Sequence, residues 1–144
     1  MSTIIPFLNR KIFFITGATG FLGKGLVEKL LWQVPDIGRI YLMVRPRARG
    51  TGKPISADDR LHREVLQSNA FARLRAELGD RFDSVMREKL VAVPSDLTQD
   101  RLGMDVETYA RLTSEVDIVI NSAAKVAFDE PLNLALEQNT LGPK

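Results

Sequence analysis

Apolar residues fall into two rhythms along this chain. Short, nearly unbroken runs occur at Lys11-Ile-Phe-Phe-Ile-Thr16, Arg39-Ile-Tyr-Leu-Met-Val44, Lys89-Leu-Val-Ala-Val-Pro94 and Val116-Asp-Ile-Val-Ile-Asn121. Rich in β-branched and aromatic side chains, they predict strands buried on both faces, as in a parallel sheet. Between the first two, Leu22, Leu26, Leu30 and Val34 recur every fourth residue, with Val27 and Leu31 beside them and Lys24, Glu28 and Lys29 off the stripe. Residues 21–34 therefore read as an amphipathic helix, closed by Pro35-Asp36-Ile37-Gly38.

Residues 45–56 carry Arg45, Arg47, Arg49 and Lys53 among glycines and prolines, and read as a surface loop. Ser56, three residues before Asp59, resembles a capping box for a helix running to about Leu78. Its stripe is Leu61, Val65, Leu66, Phe71, Leu74 and Leu78. Gly79-Asp80 breaks the pattern, and residues 81–88 predict another short helix. A helix over about 105–115 leads into the fourth strand, and Pro131 opens one still running near Asn139. Strands alternating with helical crossovers predict an α/β fold with a parallel sheet. Right-handed crossovers give the strand order 3-2-1-4, the first half of a doubly wound, Rossmann-like sheet plus its first return strand. The sheet is expected to be truncated after these four strands, with strand four covered by a C-terminal part outside this chain.

Composition narrows the function classes. The chain has 144 residues, 44% hydrophobic and 26% charged, with a net charge of +2. That suits a single soluble domain and gives no general attraction to nucleic acid or membrane. The absence of cysteine excludes disulfides, thiolate nucleophiles and cysteine metal sites, and a single histidine excludes a histidine-rich one. No run approaches the roughly 18 apolar residues of a membrane span, and the first ten residues lack the layout of a secretory signal. A cytoplasmic location is expected.

The chemistry concentrates at Gly17-Ala18-Thr19-Gly20-Phe21-Leu22-Gly23. A glycine triplet alone is a weak signal, but this one follows the first strand directly and opens the first helix. Gly17 suits the tight turn, Gly20 lets backbone approach a pyrophosphate, and Gly23 lets helix and strand pack closely. The helix start then offers unpaired N–H groups to the phosphates. A plain glycine-rich turn is the competing reading. A P-loop is not, because Ala18 and Gly25 stand where that motif needs glycine and Ser or Thr.

Cofactor choice is made at the end of strand two. Arg45 stands there, with no acid before Asp58. An acid would hold the ribose hydroxyls of NAD, whereas arginine accommodates the extra phosphate of NADP. Arg47 and Arg49 fit a solvated basic loop as well as a binding role. Asp96 and Leu97 follow strand three; Asp96 is suited to accept from the adenine amino group, or simply to shape a turn. Ser122, Ala123 and Ala124 after strand four suit close passage of a cofactor, and equally tight packing. Asp129 with Pro131 reads as a helix cap and not as catalytic acid. His62 is expected to face solvent, and Trp32 to pack.

Taken together, TGATGFLGKGLVEKLL, IYLMVRP, the SDL after strand three and VDIVINSAAKVAFDEPLNLALEQNTLG resemble the N-terminal reductase domain of fatty acyl-CoA reductases. These extended short-chain dehydrogenases are similar to the thioester-reductase domains of carboxylic acid reductases. The resemblance runs from Lys11 to Gly142, with residues 1–10 as an N-terminal extension, and makes residues 1–144 the NADP-binding portion of a longer reductase domain. It implies NADPH contacts at Gly17, Thr19, Gly20, Phe21, Leu22, Gly23, Arg45, Asp96, Leu97, Ala123, Ala124 and Lys125, with Arg60 as a second ligand of the 2′-phosphate. It further implies a long-chain acyl-CoA substrate, reduced to the aldehyde and often onward to the alcohol, and a peripheral membrane association through the missing part.

The family's Tyr-x-x-x-Lys pair is absent: Arg45 lies four residues after Tyr41, and Thr113 four after Tyr109. The chain by itself is therefore expected to bind NADPH weakly and reduce nothing. Two other readings also fit the sequence. One is another extended short-chain dehydrogenase, such as a sugar-nucleotide epimerase or ketone reductase; the other is a non-enzymatic dinucleotide-sensing module.

Overall fold

The structure is a computed structural model that describes residues 4–49, 52–124, 131–136 and 139. Its centre is a four-stranded parallel sheet of β1 (Phe13–Thr16), β2 (Ile40–Val44), β5 (Leu90–Pro94) and β6 (Ile118–Asn121). The spatial order is β5-β2-β1-β6, which is the expected order 3-2-1-4. Phe13 lies opposite Ile40 on one side and Ile118 on the other.

Side-chain alternation explains why both faces are filled. Phe13 and Ile15 of β1, with Ile40, Leu42 and Val44 of β2, point to one face, where Val27 and Leu31 of α2 (Phe21–Gln33) cover them. Phe14 and Tyr41 point the other way and meet Val93, Met104 and Leu112, the last on α6 (Val106–Glu115). All four β1 residues are buried, so the run lacks the polar alternation of a half-exposed strand. Each fully buried side chain of this size contributes roughly 1.5–3 kcal/mol. The second face has fewer buried residues, and Val119 on β6 is largely exposed there.

Two expectations require correction. Residues 45–56 are not simply a loop: β3 (Arg47–Arg49) and β4 (Gly52–Ile55) form an antiparallel hairpin. Nor is the stretch from Ser56 to Leu78 one helix. Ser56 caps α3 (Ala57–Arg60) as expected, accepting from the Asp59 N–H at 3.0 Å. The chain then widens into a π-helix over Leu61–Leu66, breaks at Ser68, passes a 3-10 turn at Asn69–Phe71 and resumes as α4 (Ala72–Leu78). The Arg75 guanidinium donates to the carbonyls of Leu66 and Ser68 across the break, and the Ser68 carbonyl also accepts from the Phe71 N–H at 3.1 Å. After a 3-10 turn at Gly79–Arg81, α5 (Phe82–Lys89) leads into β5.

The first ten residues include α1 (Ile4–Leu8), whose Ile5 and Leu8 pack against the first core. The late helix expected from Pro131 is present as α7 (Leu132–Leu136). The expected Asp129 cap lies outside the described residues. Trp32 packs on the core with the Arg73 guanidinium 4.1 Å above its ring, and His62 is exposed. Among the described residues no helix is long and apolar enough to cross a membrane, and no cluster of His, Cys, Asp or Glu is arranged to hold a metal.

Candidate functional site

The carboxyl ends of all four parallel strands open onto one cleft of about 420 Å³. Ligands in open α/β sheets bind at this edge, where the connections diverge. Gly17, Thr19 and Gly20 form one wall, following β1. Its geometry explains two of the glycines.

Gly17 has φ +73°, and a Cβ there would stand 2.6 Å from the Ser122 carbonyl. A Cβ on Gly23 would lie 2.1 Å from the Gly17 oxygen. The start of α2 is thus seated against the loop backbone at a distance no side chain permits. Gly20, at the helix N-cap, has no side chain to satisfy the first-turn N–H groups. They remain donors aimed outward from the helix start, the arrangement that suits a phosphate. Phe21 and Leu22 are exposed at that start but do not line the cleft, while Gly23 is buried beneath it.

A clasp that the sequence did not reveal ties the end of β1, where this loop begins, to the neighbouring β6. The Thr16 hydroxyl donates to the Asn121 side-chain oxygen and accepts from the Ala123 N–H at 3.1 Å. Ser122 Oγ in turn donates to the Thr16 carbonyl at 2.6 Å. Ala123 and Ala124 are thereby held in the cleft wall beside Gly17. Lys125 lies outside the described residues.

The opposite wall is basic. Arg45 emerges from β2 with its side chain 66% exposed, and Nη1 reaches Asp96 Oδ2 at 3.4 Å. Arg47 and Arg60 also line the wall. Arg60 is buried and already engaged: Nε and Nη2 donate to the two oxygens of Glu64 at 2.8 and 2.7 Å, and Nη1 donates to the Arg45 carbonyl. Each partner's charge is reinforced. The hydrogen bond to Glu64 raises the Arg60 pKa against the effect of burial, and the same bond holds the Glu64 carboxyl below its ordinary range.

Asp96 and Leu97 complete the floor after β5. Asp96 Oδ1 accepts from the Thr98 N–H at 3.0 Å and from its hydroxyl at 2.8 Å, so the turn-forming role foreseen for it is present. Partial burial raises its pKa, but the Thr98 bonds and Arg45 outweigh that and leave it lowered. Asp96 is therefore an ionised acceptor at neutral pH. Of the expected contacts, the cleft brings together Gly17, Thr19, Gly20, Arg45, Arg60, Asp96, Leu97, Ala123 and Ala124.

Known proteins resemble this chain along most of its length. The NAD-binding family described as male sterility protein matches residues 15–144. Fatty acyl-CoA reductase 1 of Arabidopsis thaliana is 43% identical over 143 residues, covering 98% of this chain and 28% of its own. The chloroplastic fatty acyl-CoA reductase 2 of the same plant is 39% identical over 140 residues, with 97% of this chain and 22% of the relative covered. The alcohol-forming fatty acyl-CoA reductase of Simmondsia chinensis is 37% identical over 145 residues and covered over 28% of its length. This chain thus spans about a quarter of these relatives.

Among solved structures, the terminal R domain from the myxalamid PKS-NRPS biosynthetic pathway superposes with a TM-score of 0.66 at 25% identity, covering 93% of this chain and 30% of that one. The reductase domain of a nonribosomal peptide synthetase from Mycobacterium tuberculosis gives 0.59 at 32% identity, with 83% and 26% covered.

Proposed function

We propose, for a chain that belongs to the NAD-binding male sterility protein family and is a fatty acyl-CoA reductase-like domain, that its dinucleotide is NADPH and its reaction the reduction of a fatty acyl thioester. The observation that carries the cofactor choice is Arg45. It leaves β2 largely exposed, and β2 itself ends on no carboxylate. Its one long contact to Asp96 uses a single donor of the five a guanidinium carries. The fork remains available to a 2′-phosphate, which arginine grips bidentately.

The residues present fit the cofactor. Gly17 and Gly23 keep backbone where any Cβ would strike, and the α2 start offers uncapped N–H groups. We assign the pyrophosphate to Gly17, Thr19, Gly20, Phe21, Leu22 and Gly23. Arg45 and Arg60 then serve the 2′-phosphate, Asp96 and Leu97 the adenine, and Ala123, Ala124 and Lys125 the approach to the nicotinamide.

When bound, NADPH supplies a hydride to a carbonyl carbon. Thioester plus hydride and proton gives aldehyde and free thiol, and a second round gives the alcohol. The substrate is read as a long-chain acyl-CoA by its likeness to the reductases above. Proton donation by a Tyr-x-x-x-Lys pair is not offered by residues 1–144. Tyr41 is buried, its hydroxyl donating to Glu115 at 2.7 Å, and Tyr109 lies on α6. These residues therefore bind and orient the cofactor without turning over acyl-CoA.

Calorimetric titration of wild type and Arg45→Ala with NADPH and NADH tests the reading. Loss of a charge-assisted phosphate contact of about 1.5–3 kcal/mol, reduced by solvent screening, predicts roughly a tenfold fall in NADPH affinity and little change for NADH. Equal affinities in wild type, indifferent to the substitution, would overturn NADPH. Acyl-CoA-dependent oxidation of NADPH by residues 1–144 alone would overturn the division of labour.

A further inference from the structure

Glu64 stands outside the cleft wall and belongs to none of the contacts assigned above, yet it grips the cation that does line it. Arg60 is buried, and among the described residues it is the one cation so classed. Glu64 takes the side edge of its guanidinium, through Nε and Nη2, while the Arg45 carbonyl takes one N–H of Nη1. Three of five donors are thus committed, and two on the terminal nitrogens remain. The pair is spaced i,i+4 across the junction of α3 and the π-helix, and Glu64 also feels the charges of Arg47 and Lys24.

We propose that Glu64 is a positioning residue that sets the preference for NADPH over NADH, by locking Arg60 so that its remaining N–H groups serve the 2′-phosphate beside Arg45. The proposal rests on the NADPH reading and deepens it. Two physical effects favour it. An arginine pinned at a carboxylate and at a backbone carbonyl has lost its rotamer freedom on folding, so a ligand bears none of that cost. A buried guanidinium also needs a compensating anion whether or not a phosphate is present, and Glu64 supplies it. The same clamp fixes the Arg45 carbonyl, so it holds the backbone from which the exposed arginine projects.

The opposite idea, that Glu64 competes with the phosphate for Arg60, predicts the opposite sign. Titrations of the full chain with NADP⁺ and NAD⁺, which differ by the 2′-phosphate alone, separate them. Glu64→Ala and Arg60→Ala should each reduce the NADP⁺-over-NAD⁺ affinity ratio by roughly fivefold or more, a loss concentrated on the NADP⁺ arm. The double variant should be no worse than either single one, because both remove one unit. Glu64→Gln, which retains one acceptor, should fall between wild type and Glu64→Ala. It also serves if the alanine variant fails to fold, in which case a ratio equal to that of wild type overturns the proposal.

A ratio raised or unmoved by Glu64→Ala, while Arg45→Ala still lowers it, overturns the positioning role and leaves NADPH standing. Equal loss on both arms also overturns it, since a merely structural residue would do that. No preference in wild type, with Arg45→Ala silent, removes both readings together.

Discussion

Replacing Gly23 by alanine is the most direct probe of how the cradle is built. The added Cβ would lie 2.1 Å from the Gly17 oxygen, 2.7 Å from its carbonyl carbon and 2.8 Å from the Ala18 Cα. All three are backbone atoms, so no side chain can rotate aside. Relief requires α2 and the loop to part by more than an ångström. Overpacking of this kind costs roughly 1–3 kcal/mol, and the rigid neighbours favour the upper half of that range.

The same retreat moves the first-turn N–H groups away from the loop that frames them. Both nicotinamide dinucleotides share the pyrophosphate, so NADPH and NADH affinities should fall together, by roughly tenfold or more. Gly25 supplies the control from the same helix. A Cβ there meets nothing within 4 Å, so Gly25→Ala should stabilise by roughly 0.5–1 kcal/mol through helix propensity. Urea unfolding and calorimetric titration of the two variants give both numbers. If Gly23→Ala is as stable as Gly25→Ala, or binds as tightly, the close-packing account of the third glycine is wrong.

Two further outcomes follow from ion pairs. Glu28 is buried on α2, and Arg73 donates to both its oxygens at 3.0 and 2.8 Å. Arg73→Ala leaves that carboxylate unpaired and strips the guanidinium from Trp32; with Arg73 half exposed, a loss of about 1–3 kcal/mol is expected in urea unfolding, and one below about 0.5 kcal/mol would refute the pairing. The carboxyls of Glu64, Asp96, Asp105 and Asp117 are all held below their ordinary range, chiefly by hydrogen bonds from Arg60, Thr98, Thr108 and the Ile12 N–H respectively. Depressed folded-state values mean stability that is fully present above the unfolded range near pH 4 and is lost as pH falls through the lower folded values. The urea midpoint should therefore drop below about pH 4, less steeply in Asp96→Asn, and parallel curves for the two proteins would contradict the assignment.

What could be read in advance depended on the range of each interaction. The strands β1 and β2 were legible because burial on both faces leaves a run such as Phe13-Phe14-Ile15 without polar interruption, whereas β6, with Val119 exposed, was legible by its β-branched apolar run alone. The β3–β4 hairpin was not. Its strands are three and four residues long, they carry arginines and Pro54, and no alternation emerges over so short a span. The break at Ser68 was hidden because Leu61, Val65, Leu66, Phe71 and Leu74 keep a helix-like stripe even where the backbone leaves the helix. At the site, the glycines and Arg45 stood out by type and position. The Thr16–Asn121–Ser122 clasp did not, since it joins residues more than 100 positions apart. Glu64 left a fainter trace, an acid four residues after Arg60 on a helix, a spacing common on any charged surface.

That clasp bears on the order in which the molecule assembles. The glycine loop is contiguous in sequence, but the wall it leans on arrives with Ser122 and Ala123, beyond three crossovers, the second of which contains the hairpin. Pairing of β1 with β2 closes a modest loop, whereas β1 with β6 must bridge 105 positions. Such distant contacts carry the larger chain-entropy cost and form slowly. The phosphate cradle is then among the last features to take shape, after α2 has already docked on β1. A nascent chain would acquire its sheet well before it acquired any grip on a nucleotide, and grafting the seven-residue glycine loop onto another strand would carry the letters of the site without its shape.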